Sequence, residues 1–267
     1  MQIAAERENN EIVYLLISHK GLYTKAFNRC LFLTEIVIPP SVTKIGRKAF
    51  QFCENLYEIT IPSSVTHIEK SAFHGCTSLS EVSFEKPSNL VSIGIEAFKL
   101  CESLKQIIIP PSVKEIRYSA FWHCHSIKKI YIPESVTYIG PTAFFGCHKL
   151  EDINIPSSVT EINQNLFKGC YSLEYIELPD SITMIECDAF NSCTSLTEIT
   201  IPSSVEYISS DAFGGCTHLV NVVILSKYRF SKSTFPPDAY IDYQWIYVFD
   251  LKYKILFKHL KFATMYS

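Results

Sequence analysis

Glycine is scarce, with nine residues in a chain of 267, so loops that cradle phosphate by close backbone approach have little to be built from. Positive charge is not in excess either. Twenty-four Lys and Arg face 27 Asp and Glu, giving a net charge of -3 and a pI near 6.2. That balance removes the basic field that draws proteins to nucleic acid. Long apolar runs are missing: Ile12 to Ile17 is about a third of what a membrane span needs. The polar, acidic stretch Glu6 to Glu11 precedes it, where an export signal would carry positive charge. There is no G-x-S-x-G, no P-loop and no dinucleotide fingerprint, so no motif points to an enzyme and no cofactor is expected. Disorder is excluded from the other side, by 47% hydrophobic against 19% charged residues.

What the chain has is a repeat. Phenylalanine recurs at Phe27, Phe50, Phe73, Phe98, Phe121, Phe144, Phe167, Phe190 and Phe213, at intervals of 23 residues except for one of 25 between Phe73 and Phe98. The two extra residues fall in the turn-rich segment 85–89, where insertion costs little. Alanine precedes each phenylalanine, with Leu166 the one exception, and a cysteine follows three residues later, from Cys30 to Cys216. Leu or Ile comes three further on, then paired branched residues two apart, such as Ile59 and Ile61, usually followed by proline. The unit reads S-V-T-x-I-x-x-x-A-F-x-x-C-x-x-L-x-x-I-x-I-P.

Each column has a physical role. In I-x-I both isoleucines point inward from a short strand and the residue between them points out. Val42 and Ile45, Val65 and Ile68 and their equivalents supply a second inward pair on the return path. Phenylalanine fills the interior, and proline ends the strand by fixing φ and removing a donor. Serine and threonine around the valine, such as Ser64 and Thr66, can satisfy backbone groups at the bend. One unit cannot bury this apolar set; nine stacked units can, each touching chiefly its neighbours. At a strand spacing of about 4.8 Å the stack runs roughly 40 Å. The expected fold is a solenoid of stacked, parallel short strands with turns or short helices on the other side, a β-rich α/β arrangement.

The motif set A-F-x-x-C-x-x-L, I-x-I-P and S-V-T-x-I, in register nine times over residues 13–224, resembles the BspA-like leucine-rich-repeat family. That resemblance implies a curved leucine-rich-repeat solenoid of the surface adhesin type, binding host or matrix proteins. It also implies a cell-surface location, whereas the sequence shows no signal peptide. The competing reading is an intracellular, cytoplasmic interaction or regulatory solenoid, favoured by the many thiols and by the lack of any N-x-S/T sequon. In either case the expected partner is a protein, with no nucleic acid and no membrane span.

The chain divides into a degenerate N-terminal cap over 1–22, the nine-repeat solenoid over 23–225, and a basic, aromatic C-terminal cap or tail over 226–267. Val13, Leu15 and Leu22 fall on repeat positions of the first segment. The last carries seven Lys and Arg against three Asp, with Trp245 amid Tyr240, Tyr243, Tyr247 and Phe249, and an alternating stretch from Leu251 to Phe257 that reads as a strand. Nine of the ten cysteines sit in one repeat column beside Phe and Leu. They read as small buried hydrophobes, with inter-rung disulfides as the alternative. His125 and His148 share a column one rung apart, near His123. With no carboxylate beside them and both nearby cysteines in the core column, they read as solvent-facing loop histidines, and no metal site is assigned.

The binding candidates lie in two outward columns of the main strand. The first runs Glu35, Glu58, Glu81, Gln106, Lys129, Asp152, Tyr175, Glu198, Asn221, and the second Val37, Thr60, Ser83, Ile108, Tyr131, Asn154, Glu177, Thr200, Val223. Core residues repeat while these vary, as on a surface where packing does not dictate identity. Within them Glu58, Glu81, Ile108, Lys129, Tyr131, Asn154, Tyr175 and Glu177 form the expected contact set, because aromatics among charges are favoured at protein interfaces.

Overall fold

A computed structural model describes residues 24–244. The chain coils with one rung per repeat, and two short strands per rung pair in parallel with their equivalents above and below. The main ladder joins Glu58–Ile61, Glu81–Phe84, Gln106–Ile108, Lys129–Tyr131 and Asp152–Ile153. The return ladder joins Lys44–Ile45, His67–Ile68, Ser92–Ile93, Glu115–Ile116 and Tyr138–Ile139. Register follows the repeat: Glu58 pairs with Glu81, Glu81 with Gln106, and Gln106 with Lys129. The third side is made of turns. Among the described residues the one helical element is the 3-10 turn Lys232–Thr234, so short helices contribute almost nothing.

The turns stack because their backbone groups bond from rung to rung. Lys25, Phe27 and Arg29 donate to the carbonyls of Arg47, Ala49 and Gln51, and the pattern repeats up the stack. From Phe27 to Phe190, residues two before and two after each phenylalanine take positive φ, as in Lys48 and Phe52 at 60° and 59°, while at Phe213 Gly215 alone of the two does. At the opposite bend the serine hydroxyls donate to carbonyls one rung back, Ser64 to Val42 and Ser135 to Val113 at 2.7 Å.

The interior is a column of phenylalanines. From Phe27 to Phe213 each is at most 2% exposed, and successive rings stack with centroids 5.2 to 5.9 Å apart. The cysteine column runs beside them. All ten cysteines are free thiols, and eight, from Cys53 to Cys216, donate from Sγ to the carbonyl of a phenylalanine on the preceding rung at 3.0 to 3.3 Å. A small side chain that is both apolar and a weak donor meets that position.

One rung departs from the rule. Leu166 puts an isobutyl group where its neighbours carry a methyl, and it is fully buried. The Phe144–Phe167 spacing there is the widest, 5.9 Å, and Phe144 N–H reaches the Leu166 carbonyl at 3.2 Å, against 2.8 Å for Phe121 to Ala143. Both ladders stop at this point. The return ladder restarts as Glu161–Ile162, Met184–Ile185 and Tyr207–Ile208, and the main ladder as Glu198–Ile201 and Asn221–Ile224. An asparagine side chain bridges the seam: Asn163 Nδ2 donates to the Ile139 carbonyl at 2.7 Å. One joint earlier, where the main ladder ends, Asn154 accepts from Ile132 N–H and donates to Ile132 O, both at 2.8 Å. Such amides take over bonds that backbone would otherwise make.

After Ile224 the motif lapses but the coil continues. Phe235 stacks on Phe213 at 5.3 Å, and Tyr240–Tyr243 pairs in parallel with Asn221–Ile224. Residues 226–244 thus lay a further rung over the ninth repeat. The N-terminal cap and the aromatic stretch from Trp245 onward lie outside the described residues.

Candidate functional site

The main-strand face carries the two outward columns side by side. Glu58 and Glu81 are direct neighbours in the parallel register, and Glu35, one rung before Glu58, is likewise exposed. Like charges placed opposite one another on a sheet repel, so this edge favours an incoming cation. Further along, Lys129 pairs with Asp152 at 3.3 Å and Lys128 with Glu151 at 2.9 Å. Both pairs are solvent-exposed, so they add little to stability and exchange partners readily.

Between the acidic and mixed zones the face turns apolar. Ile108 and Tyr131 are cross-strand partners and stand 72% and 63% exposed. Beside them opens a cavity of about 800 Å³ lined by Phe84, Lys86, Pro87, Ile108, Pro110 and Pro111, among others. The two-residue insertion makes it. Residues 85–88 of the longer bend line it after the strand Glu81–Phe84, and the corresponding bend after Tyr175 holds a smaller cavity of about 290 Å³. Sequence reasoning identified the insertion but not its product; Pro110-Pro111 opposite the longer loop is the signal that could have found it.

The eight candidates do not all lie on one ladder. Glu58, Glu81, Ile108, Lys129 and Tyr131 share the unbroken five-stranded ladder. Asn154 faces outward but is half-buried, and its amide is committed to the Ile132 backbone. Tyr175 and Glu177 are exposed, yet their rung lies beyond the seam and forms no strand.

A second cluster lies on the turn face, where His123, His125 and His148 converge. His123 Nδ1 is 2.8 Å from His125 Nε2, and the His125 and His148 rings stack at 4.3 Å. All three are half-buried rather than solvated. Burial, then the neighbouring imidazoles, hold His123 down to about 4, and His148 is lowered for the same reasons. The column shared by His125 and His148 was legible in the sequence. His123 joins them because it takes the left-handed turn position, φ 57°.

Residues 20–147 and 114–238 match the BspA type leucine rich repeat region, in six copies. The chain belongs to that family. Among solved structures this BspA-type chain is similar to the T. pallidum leucine rich repeat protein, with 33% identity and a TM-score of 0.56 over 61% of this chain and 75% of that one. It is also similar to a leucine-rich repeat protein from Eubacterium ventriosum ATCC 27560, at 23% identity and a TM-score of 0.51. That match covers 77% of this chain and 65% of the other, and at that identity the likeness speaks for the fold alone. No curated protein matches the chain. No helix among the described residues of the BspA-type solenoid is long and apolar enough to cross a membrane.

Proposed function

We propose that this BspA-type solenoid is a non-enzymatic, protein-binding scaffold that docks its partner on the main-strand face between Glu58 and Tyr131, in keeping with the adhesin role its family resemblance implies. The observation that carries this reading is the exposed Ile108–Tyr131 pair beside an apolar cavity of about 800 Å³. An apolar or aromatic anchor from the partner fits that cavity, while Glu58 and Glu81 receive a basic residue. The frame beneath is held by rung-to-rung bonds, so little ordering is lost on binding.

The test uses the full chain against a panel of purified extracellular-matrix proteins, read by interferometry. Ile108→Ser with Tyr131→Ser removes two central apolar contacts, together worth about 2–4 kcal/mol, and is expected to weaken binding by about 30- to 700-fold. Thermal unfolding should stay within a degree or two of the parent, because both side chains point to solvent. Unchanged affinity of the double variant would move the interface elsewhere, and failure to bind any matrix protein would remove the adhesin reading.

A further inference from the structure

The histidine cluster on the turn face is not needed for docking on the strand face, and its geometry has its own chemistry. One nitrogen from each of His123, His125 and His148 lies within 4.8 Å of the other two. A cation bound at N–metal distances of about 2.0–2.1 Å holds tetrahedral nitrogens ~3.3 Å apart, so closing the set requires the stacked His125 and His148 rings to turn until their in-plane nitrogens converge. His123 is positioned from several sides. Its backbone N–H donates to the Phe145 carbonyl at 2.7 Å, and its ring lies against Trp122 at 3.7 Å and Phe145 at 5.4 Å. Gly146 leaves the ring its space, because a Cβ there would come within 2.9 Å of Nε2. On the other side Tyr171 stacks on His148 at 4.7 Å.

The donor set defines the ligand. Cys124 and Cys147 are fully buried, with Sγ donating to Phe98 and Phe121 carbonyls, so no thiolate joins. No carboxylate belongs to the group. Imidazole alone suits borderline divalent transition ions and gives calcium or magnesium no oxygen cage. The half-exposed rings leave a further coordination position toward solvent.

We propose that His123, His125 and His148 bind one borderline divalent transition cation, zinc foremost, across two successive rungs. The ion ties the Phe121 turn to the Phe144 turn, adding a metal staple to the backbone and side-chain bonds that already join them, and keeps an open position for water or an incoming ligand.

The full chain, stripped with EDTA and with its accessible thiols alkylated, is titrated with Zn2+ by calorimetry. One ion per chain is expected, with melting temperature rising by about 5–10 °C at about 100-fold excess over Kd. His125→Gln and His148→Gln should each weaken binding by about tenfold or more, as when one of three ligands is lost. His218→Gln, on a distant rung, should leave it unchanged, and Ca2+ and Mg2+ should give no heat. In the unmutated protein, Cu2+ should show electron-spin-resonance hyperfine structure from three imidazole nitrogens, a readout that does not depend on variants folding. Zinc binding unaffected by both substitutions, absence of a zinc-dependent melting shift, or copper bound by a single nitrogen would overturn the assignment.

Discussion

Replacing Leu166 with alanine should cost far less than a buried leucine usually does. Leu→Ala in a core ordinarily costs about 2–5 kcal/mol, and the spread reflects how well the site collapses. Here the collapsed state is already drawn in neighbouring rungs, where alanine fills the position and rings stack at 5.2 to 5.4 Å. Closing the 5.9 Å gap at Phe144–Phe167 to 5.4 Å means a movement of 0.5 Å (5.9 minus 5.4). That closure is expected to bring Thr160 N–H to the Thr137 carbonyl and Asn163 N–H to the Ile139 carbonyl, which now accepts the Asn163 amide, the equivalents of the bonds that Thr137 and Gly140 make to the rung below. Each restored bond returns about 1 kcal/mol. Set against a mid-range truncation of about 3–4 kcal/mol, the net cost should fall below about 2 kcal/mol. Urea unfolding followed by far-ultraviolet circular dichroism gives the free energy. Amide exchange at Thr160 and Asn163 reports whether the ladders have joined. A loss of about 4 kcal/mol or more with unchanged exchange would refute the reasoning, since it would show a cavity left open.

Phe121 offers the contrast. It is fully buried and stacked on Phe98 at 5.4 Å and Phe144 at 5.6 Å, and no relative of the repeat shows a collapsed state without it. Phe121→Ala should therefore cost about 3–5 kcal/mol in the same urea assay, and a neutral result would place the ring outside the core. The thiols give a pH prediction. Burial pushes Cys53, Cys147 and Cys216 up to about 12, while an unfolded thiol titrates near 9. Folded-state values raised above the unfolded ones mean that stability is intact below pH 9 and declines as pH rises toward 12. Urea midpoints at pH 8 and pH 10 check this; equal midpoints would contradict it. In native protein at pH 8, alkylation should reach Cys30 and Cys187, the two half-buried thiols, and the other eight only in denaturant.

Much of the fold was legible because the repeat is strict. The Phe, Cys and I-x-I columns specify which side chains face inward, and the parallel register follows once each rung repeats its predecessor. What was not legible depends on contacts between rungs rather than within them. Leu166 was visible as a break in the alanine column, but the loss of ladder pairing it accompanies needs the spacing of both neighbours. The coil after Ile224 was hidden because Phe235 comes 22 residues after Phe213 without the Cys and Leu that mark other rungs. On the candidate face, outward direction could be read from alternation, whereas the commitment of Asn154 to the Ile132 backbone could not. An amide's partner depends on where the next coil lies. The histidines show the same boundary: a shared column put His125 beside His148, and a left-handed turn residue brought His123 to them.

The direction of the turn bonds has an evolutionary corollary. Backbone donors of each coil reach toward the following one, while its thiol reaches toward the preceding one, so each copy offers complementary ends, like bricks keyed top to bottom. Duplicating or deleting a whole 23-residue unit leaves every joint matched and changes only how long the exposed ribbon is. Adding two residues inside a bend instead carves a pocket at one level. Such a lineage can tune reach and local shape separately, without reworking the interior that supports both.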